Sequence, residues 1–213
     1  MKNLFLEDTG SDNVSIVESM NCLRTNIAFC GDCVQVITLT SCMTGEGKSC
    51  IAFELAKSMA GSDKKVLLID ADIRKSLQSS APKGADPGLT HYLSGQAELK
   101  DLFFKVNINN MDFIPAGSFV HNPAELIEND KFNKLIEISR KIYDYIIIDA
   151  PSIGVVIDAA IVAKQCDGVV MVIEQGKISR RMIHQAVEQL QRTGTQILGA
   201  VLNKVDVKSS SYY

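Results

Sequence analysis

No stretch of this 213-residue sequence approaches the roughly 18 consecutive apolar residues that a membrane span needs. The first twelve residues, MKNLFLEDTGSD, are too acidic, and their apolar part too short, for a signal peptide. The chain also lacks an excess of either charge. Its 22 Lys and Arg against 25 Asp and Glu leave a formal net charge of -3, which argues against nonspecific binding to nucleic acid or acidic lipid as the main activity. Histidine is scarce, and His91, His121 and His184 are too scattered to mark a ligand set. Beside Cys30-Gly-Asp-Cys33 no second Cys or His pair stands at zinc-site spacing, so Cys22, Cys30, Cys33, Cys42, Cys50 and Cys166 read as free thiols of a cytosolic chain. No internal repeat or domain break interrupts residues 1–207, which read as one domain; residues 208–213 read as a flexible tail.

What is present is centred on residues 34–50, VQVITLTSCMTGEGKSC. A β-branched apolar run predicts a buried strand, and it breaks into the turn Thr44-Gly45-Glu46-Gly47. Lys48, Ser49 and Cys50 then open a helical pattern carried by Ile51, Ala52, Leu55, Ala56 and Met59. Strand, glycine loop, Lys-Ser and helix is the order of a phosphate-binding P-loop. Glycines let successive backbone N–H groups point at one anion, and the helix N-terminus adds its positive end. Lys48 has the reach for the β- and γ-phosphates, and the Ser49 hydroxyl for Mg²⁺. The strict GxxxxGK[ST] form is not met, because Cys42 stands at its first glycine.

Residues 13–29 carry helical periodicity at Val14, Val17, Met20, Leu23 and Ile27, with Ser11 or Asp12 as a cap; the segment before it is polar. Further apolar runs at 66–69, 145–148, 168–173 and 197–202 predict strands, and 111–114 a short one. Residues 75–87 read as a loop, 88–95 as a short glycine-closed helix, and Asn122-Pro123 as a helix start. Helical patterns cover 131–142, 158–165 and, amphipathically, 179–193. Apolar strands without alternation, separated by helices, imply a mostly parallel α/β sheet flanked by helices on both faces, and ligands of such sheets bind at the C-terminal strand ends.

Those ends carry the chemistry. Asp70 and Asp72 follow the second apolar run, Asp149 the third and Asn203 the last. Three carboxylates beside a phosphate loop suit one Mg²⁺ and an adjacent acceptor hydroxyl. Asp149 is placed to hold the metal, with Asp72 a second candidate, and Asp70 to orient or deprotonate an attacking hydroxyl; base and metal ligand are not separable between Asp70 and Asp72 at this level. Arg74 either clamps phosphate or pairs with a neighbouring aspartate. Asn203 offers the donor and acceptor that adenine requires, or is a strand-end turn residue.

These residues resemble the bacterial tyrosine kinases of the capsule and exopolysaccharide type (BY-kinases, CpsD/CapB-like), which share the P-loop NTPase fold of the MinD/ParA group. The likeness runs through LRTNIAF at 23–29, TGEGKS at 44–49, LLIDADIR at 67–74, GLTHYLSG at 88–95, PAGSFVHNPAEL at 115–126, YDYIIIDAP at 143–151 and VLNKVD at 201–206. It implies ATP and Mg²⁺ as cofactors and autophosphorylation in trans on tail tyrosines, here Tyr212 and Tyr213. It also implies a homo-oligomer, tyrosine-bearing protein substrates, and recruitment to the inner face of the cell membrane by a polysaccharide co-polymerase, or chain-length regulator, that activates the kinase. The chain departs from the pattern at Asn21, where the family's E-x-x-R-x-x-R has arginine, at Ser76, near which the family has proline, and in its short tyrosine tail. The alternatives are a MinD/ParA-like switch ATPase, whose extra P-loop lysine would stand where this chain has Met43, and a nucleotide-binding adaptor without turnover.

Overall fold

The unbroken apolar runs at 36–39, 66–69, 146–148 and 168–172 form strands buried on both sides, because successive side chains leave a strand in opposite directions and here both faces are covered, whereas the run at 197–202 forms an edge strand with no fully buried residue. The computed structural model describes residues 2–4, 6, 14–31, 33–74, 87–118 and 122–205. The cap at Ser11 or Asp12, most of the 75–87 loop with Ser76, His121, and the tail with Tyr212 and Tyr213 lie outside these residues.

Among the described residues eight strands make one sheet: β1 (Lys2–Leu4), β2 (Val36–Ser41), β3 (Val66–Asp70), β4 (Phe104–Val106), β5 (Met111–Ile114), β6 (Tyr145–Asp149), β7 (Gly168–Glu174) and β8 (Gln196–Asn203), in the order β1-β4-β5-β3-β6-β2-β7-β8. All neighbours are parallel except the hairpin β4–β5. The helices are α1 (Val14–Ala28), α2 (Lys48–Ala60), α3 (Leu89–Leu93), α4 (Pro123–Ile127), α5 (Asp130–Arg140), α6 (Asp158–Ala163) and α7 (Arg180–Gln191). Leu67, Ile69, Ile146, Ile148, Val169 and Met171 face the core made with α3–α7. The alternate residues Val66, Leu68, Ile147, Val170 and Val172 face the core made with α1 and α2. Each large side chain so buried contributes about 1.5–3 kcal/mol.

Two strands depart from expectation. Lys2–Leu4, in a segment read only as polar, pairs with β4, and Leu4 is buried. β4 itself is too short, and too interrupted by Lys105, to show a pattern. Cross-strand partners hold it instead: Phe104 stands opposite Phe113, and Lys105 opposite Asp112, with an Nζ–Oδ1 distance of 3.0 Å. The apolar face expected of α1 is only half used. Met20 and Ile27 are buried, whereas Val14 and Val17 are exposed, because the second half of the helix does the packing on α2. There Arg24 Nη1 donates to Ser58 O (2.8 Å) and Ser58 Oγ to Asn21 Oδ1 (2.9 Å). Asn122 precedes Pro123 as expected, but its side chain donates to Glu125 Oε2 rather than capping the backbone.

At the N-terminal edge of the sheet Asp167 ties three elements together. Its carboxylate accepts both Arg140 guanidinium hydrogens, at 2.8 and 2.7 Å, and the amides of Gln35 and Val36, at 2.9 and 2.7 Å. Burial pushes this carboxyl up, but Arg140 and the two amides outweigh it and hold it below the ordinary range. A carboxyl depressed in the folded state contributes stability above its unfolded pKa of about 3.9 and loses it as the pH falls through the folded value. Asp167→Asn is therefore expected to unfold more easily at pH 7, with the gap to wild type narrowing below about pH 4. Urea titrations at pH 7 and pH 3 check this, and a gap of equal size at both would refute it.

Candidate functional site

The C-terminal ends of β2, β3, β6 and β8 meet on one rim. β6 lies between β2 and β3, with Asp149 in register with Leu39 on one side and Asp70 on the other. Ala71 N–H donates to Asp149 O (2.9 Å), so the ends of β3 and β6 are joined past the last strand pair. β2 is held to the segment after β6 by polar contacts. Thr40 Oγ1 donates to Pro151 O (2.7 Å), and Ser41 Oγ lies 2.9 Å from Ser152 Oγ.

The loop from β2 to α2 bends through left-handed backbone at Gly45 (φ 84°) and Gly47 (φ 90°), conformations that a side chain would strain. At Gly47 there is also no room, because a Cβ would lie 2.2 Å from Asn203 Nδ2. Thr44 and Gly45 are exposed at the mouth, as are Ser49 and Cys50 on the first turn of α2. Lys48 is buried, and its Nζ meets Asp72 Oδ2 at 3.0 Å. Asp70 is only half buried, and its Oδ1 accepts the Asp72 N–H (3.0 Å). Asp72 thus meets the base of the phosphate loop through Lys48, and Asp70 and Asp149 are register partners at the ends of β3 and β6. Among the described residues, however, no three His, Cys, Asp or Glu side chains form a ligand set of their own. Lys48 Nζ gives the Asp72 carboxylate a cationic neighbour at the base of the loop.

Of the two readings of Arg74, pairing is the contact in place. Its Nε and Nη2 donate to the buried Asp158 at 2.6 and 3.1 Å, and this carboxylate raises the guanidinium's pKa. Asn203 spends its amide on the chain: Nδ2 donates to Glu46 O (2.8 Å), and Oδ1 accepts the Lys204 N–H (2.8 Å). The Glu46 side chain turns away from the mouth, fully buried, and accepts the amides of Met43 and Glu174. Lys204 Nζ reaches Gly45 O (2.8 Å) and Glu174 Oε2 (3.0 Å). Burial and Glu46 push the Cys42 thiol up to about 11, and burial and Glu54 also raise Cys50, so neither beside this loop is a thiolate at neutral pH. His91 accepts the Gly88 N–H and His184 is exposed.

Asp158, Glu174 and Lys204 are the residues that sequence reasoning missed. Glu174 was within reach of it, since the strand-end rule applied to the run at 168–173 puts this residue on the same rim. For Asp158, 84 residues from Arg74, no local signal exists.

Residues 34–203 match the AAA domain family (AAA_31). The tyrosine-protein kinase CpsD of Streptococcus agalactiae is 45% identical over 197 residues, which are 92% of this chain and 86% of that protein. The chain belongs to the CpsD-type tyrosine-protein kinases. The kinase domain of the Escherichia coli tyrosine kinase ETK superposes on this CpsD-type chain with a TM-score of 0.83 at 30% identity, covering 92% of this chain and 78% of that one. The septum site-determining protein MinD of Pyrococcus horikoshii, in complex with Mg-ADP, superposes at 0.64 and 22% identity, covering 79% and 70%. With the MinD protein this CpsD-type chain shares the fold alone. Among the described residues, no helix is long and apolar enough to cross a membrane.

Proposed function

We propose that this chain is an ATP- and Mg²⁺-dependent protein tyrosine kinase that phosphorylates tyrosines of its own C-terminal tail, Tyr212 and Tyr213, and thereby regulates capsular or exopolysaccharide synthesis. The observation that carries the reading is the phosphate loop with Lys48 buried at its base, on a chain 45% identical to a protein named as a tyrosine kinase. The amides of residues 45–49 cradle the phosphates, and Lys48 neutralises the β- and γ-phosphates. The hard oxygen donors present, the Ser49 hydroxyl and the Asp149 carboxylate with Asp72 as second candidate, suit magnesium. A magnesium ion held by these residues would supply positive charge to offset the negative charge that develops on phosphoryl transfer. Asp70, half buried at the end of β3 beside Asp72, is the base: it takes the phenolic proton as the tyrosyl oxygen bonds to phosphorus and the bond to the ADP oxygen breaks. Asn203 and Arg74 border the nucleotide, Asn203 on the adenine side. A membrane protein controlling polysaccharide chain length recruits the kinase to the inner face of the membrane and activates it, and neighbouring copies are each other's substrates.

Incubation with Mg-ATP and a peptide of the activator's cytosolic tail, followed by mass spectrometry, is expected to show phosphotyrosine at Tyr212 or Tyr213, or on an added tyrosine substrate. Hydrolysis of ATP without phosphotyrosine would assign the chain instead to the switch ATPases, and nucleotide binding without turnover would make it an adaptor.

A further inference from the structure

The phosphate loop is gripped from outside by the ends of β7 and β8. A trans peptide unit is planar, with its C=O and N–H on opposite sides, so anchoring one fixes the direction of the other. Gly45 O is anchored by Lys204 Nζ and Glu46 O by Asn203 Nδ2, both at 2.8 Å. The N–H groups of the same two peptide units belong to Glu46 and Gly47, and planarity turns them away from the anchors. From this geometry we infer that Lys204 and Asn203, braced by the carboxylates of Glu174 and Glu46, are positioning residues that hold the Glu46 and Gly47 amides aimed at the nucleotide phosphates. This rests on the nucleotide site proposed above and adds to it groups that touch neither phosphate nor acceptor.

The brace is continuous. Glu174 Oε2 takes Lys204 Nζ at 3.0 Å and Lys177 Nζ at 3.1 Å, and its backbone N–H donates to Glu46 Oε2 at 2.9 Å. Gln175 N–H donates to Asn203 O (3.0 Å), which fixes the end of β8 against β7. Lys204 sits in left-handed backbone (φ 56°). Non-glycine residues adopt this conformation uncommonly. Gly47 completes the fit, since any side chain there would displace the Asn203 amide.

Lys204→Met keeps most of the length and removes the donor. It is expected to weaken Mg-ATP and Mg-ADP binding by about tenfold, measured by calorimetry, while adenosine, which has no phosphate to meet the amides, competes for the site as in wild type. Lys204→Arg, which restores a charged donor, is expected to recover most of the loss. Equal weakening of adenosine and ATP would mean general damage and overturn the inference. So would unchanged ATP affinity in Lys204→Met beside a wild type that binds ATP. A wild type that binds no Mg-ATP would instead overturn the proposed nucleotide site, and the positioning role with it.

Discussion

Lys48→Met is expected to reduce phosphoryl transfer by on the order of 10³-fold or more and, unlike a usual active-site change, to cost stability as well. The first effect follows from charge: among the described residues no other cation in contact with the loop lies at its base, since Lys204 is spent outside it and Arg74 on Asp158. The second follows from the ion pair. Lys48 and Asp72 are both buried and 3.0 Å apart, so methionine removes one charge of a buried ion pair and keeps the other. Breaking such a pair from one side costs about 3–5 kcal/mol, and about 1 kcal/mol moves the midpoint of a chain this size by roughly 2–4 °C. A drop of several degrees is therefore expected in thermal melts. Lys48→Met with Asp72→Asn removes both charges and is expected to recover most of the melting temperature and none of the activity. A single variant that melts with wild type would refute the buried pair, and one retaining a tenth of wild-type turnover would refute the role of Lys48. Loss of activity in Lys48→Met alone is consequently a poor test of mechanism, and the double variant supplies the control for folding.

The site was legible in sequence where the sheet itself does the placing. Parallel strands buried on both faces write their positions as unbroken apolar runs, and residues that follow such runs must gather at one edge. Asp70 and Asp149 are register partners for that reason alone. What side chains do after arriving was not legible, because it depends on partners far along the chain. Arg74 finds Asp158, Lys48 finds Asp72, and Glu46, which as part of the loop looked like a phosphate neighbour, turns inward to amides at Met43 and Glu174. Short strands were lost for a different reason. β1 and β4 have three residues each, too few for periodicity, and they exist through backbone pairing with strands already formed. The reverse error occurred in α1, whose pattern promised a longer packed face than its contact with α2 uses.

Asp149→Asn is expected to separate from Lys48→Met in stability while matching it in activity. Asparagine keeps the shape and most of the hydrogen-bonding capacity of the side chain, and the Asp149 carbonyl that receives Ala71 N–H belongs to the backbone and is untouched. A carboxylate buried at the end of an apolar strand carries a desolvation cost that a bound cation offsets, and the amide does not carry it. The folded chain without nucleotide is therefore expected to melt within a few degrees of wild type. Activity depends on the lost charge. In the proposed magnesium site the substitution removes one anionic ligand, so turnover is expected to fall by on the order of 10²–10³. The magnesium concentration for half-maximal rate should rise as well, which places the defect at the metal. Adenosine, which needs no metal, should compete equally well in both proteins. Phosphotransfer measured across a magnesium titration, with a melt of each protein, decides the matter. An unchanged magnesium requirement at near wild-type turnover would remove Asp149 from the metal site and leave Asp72 as the candidate.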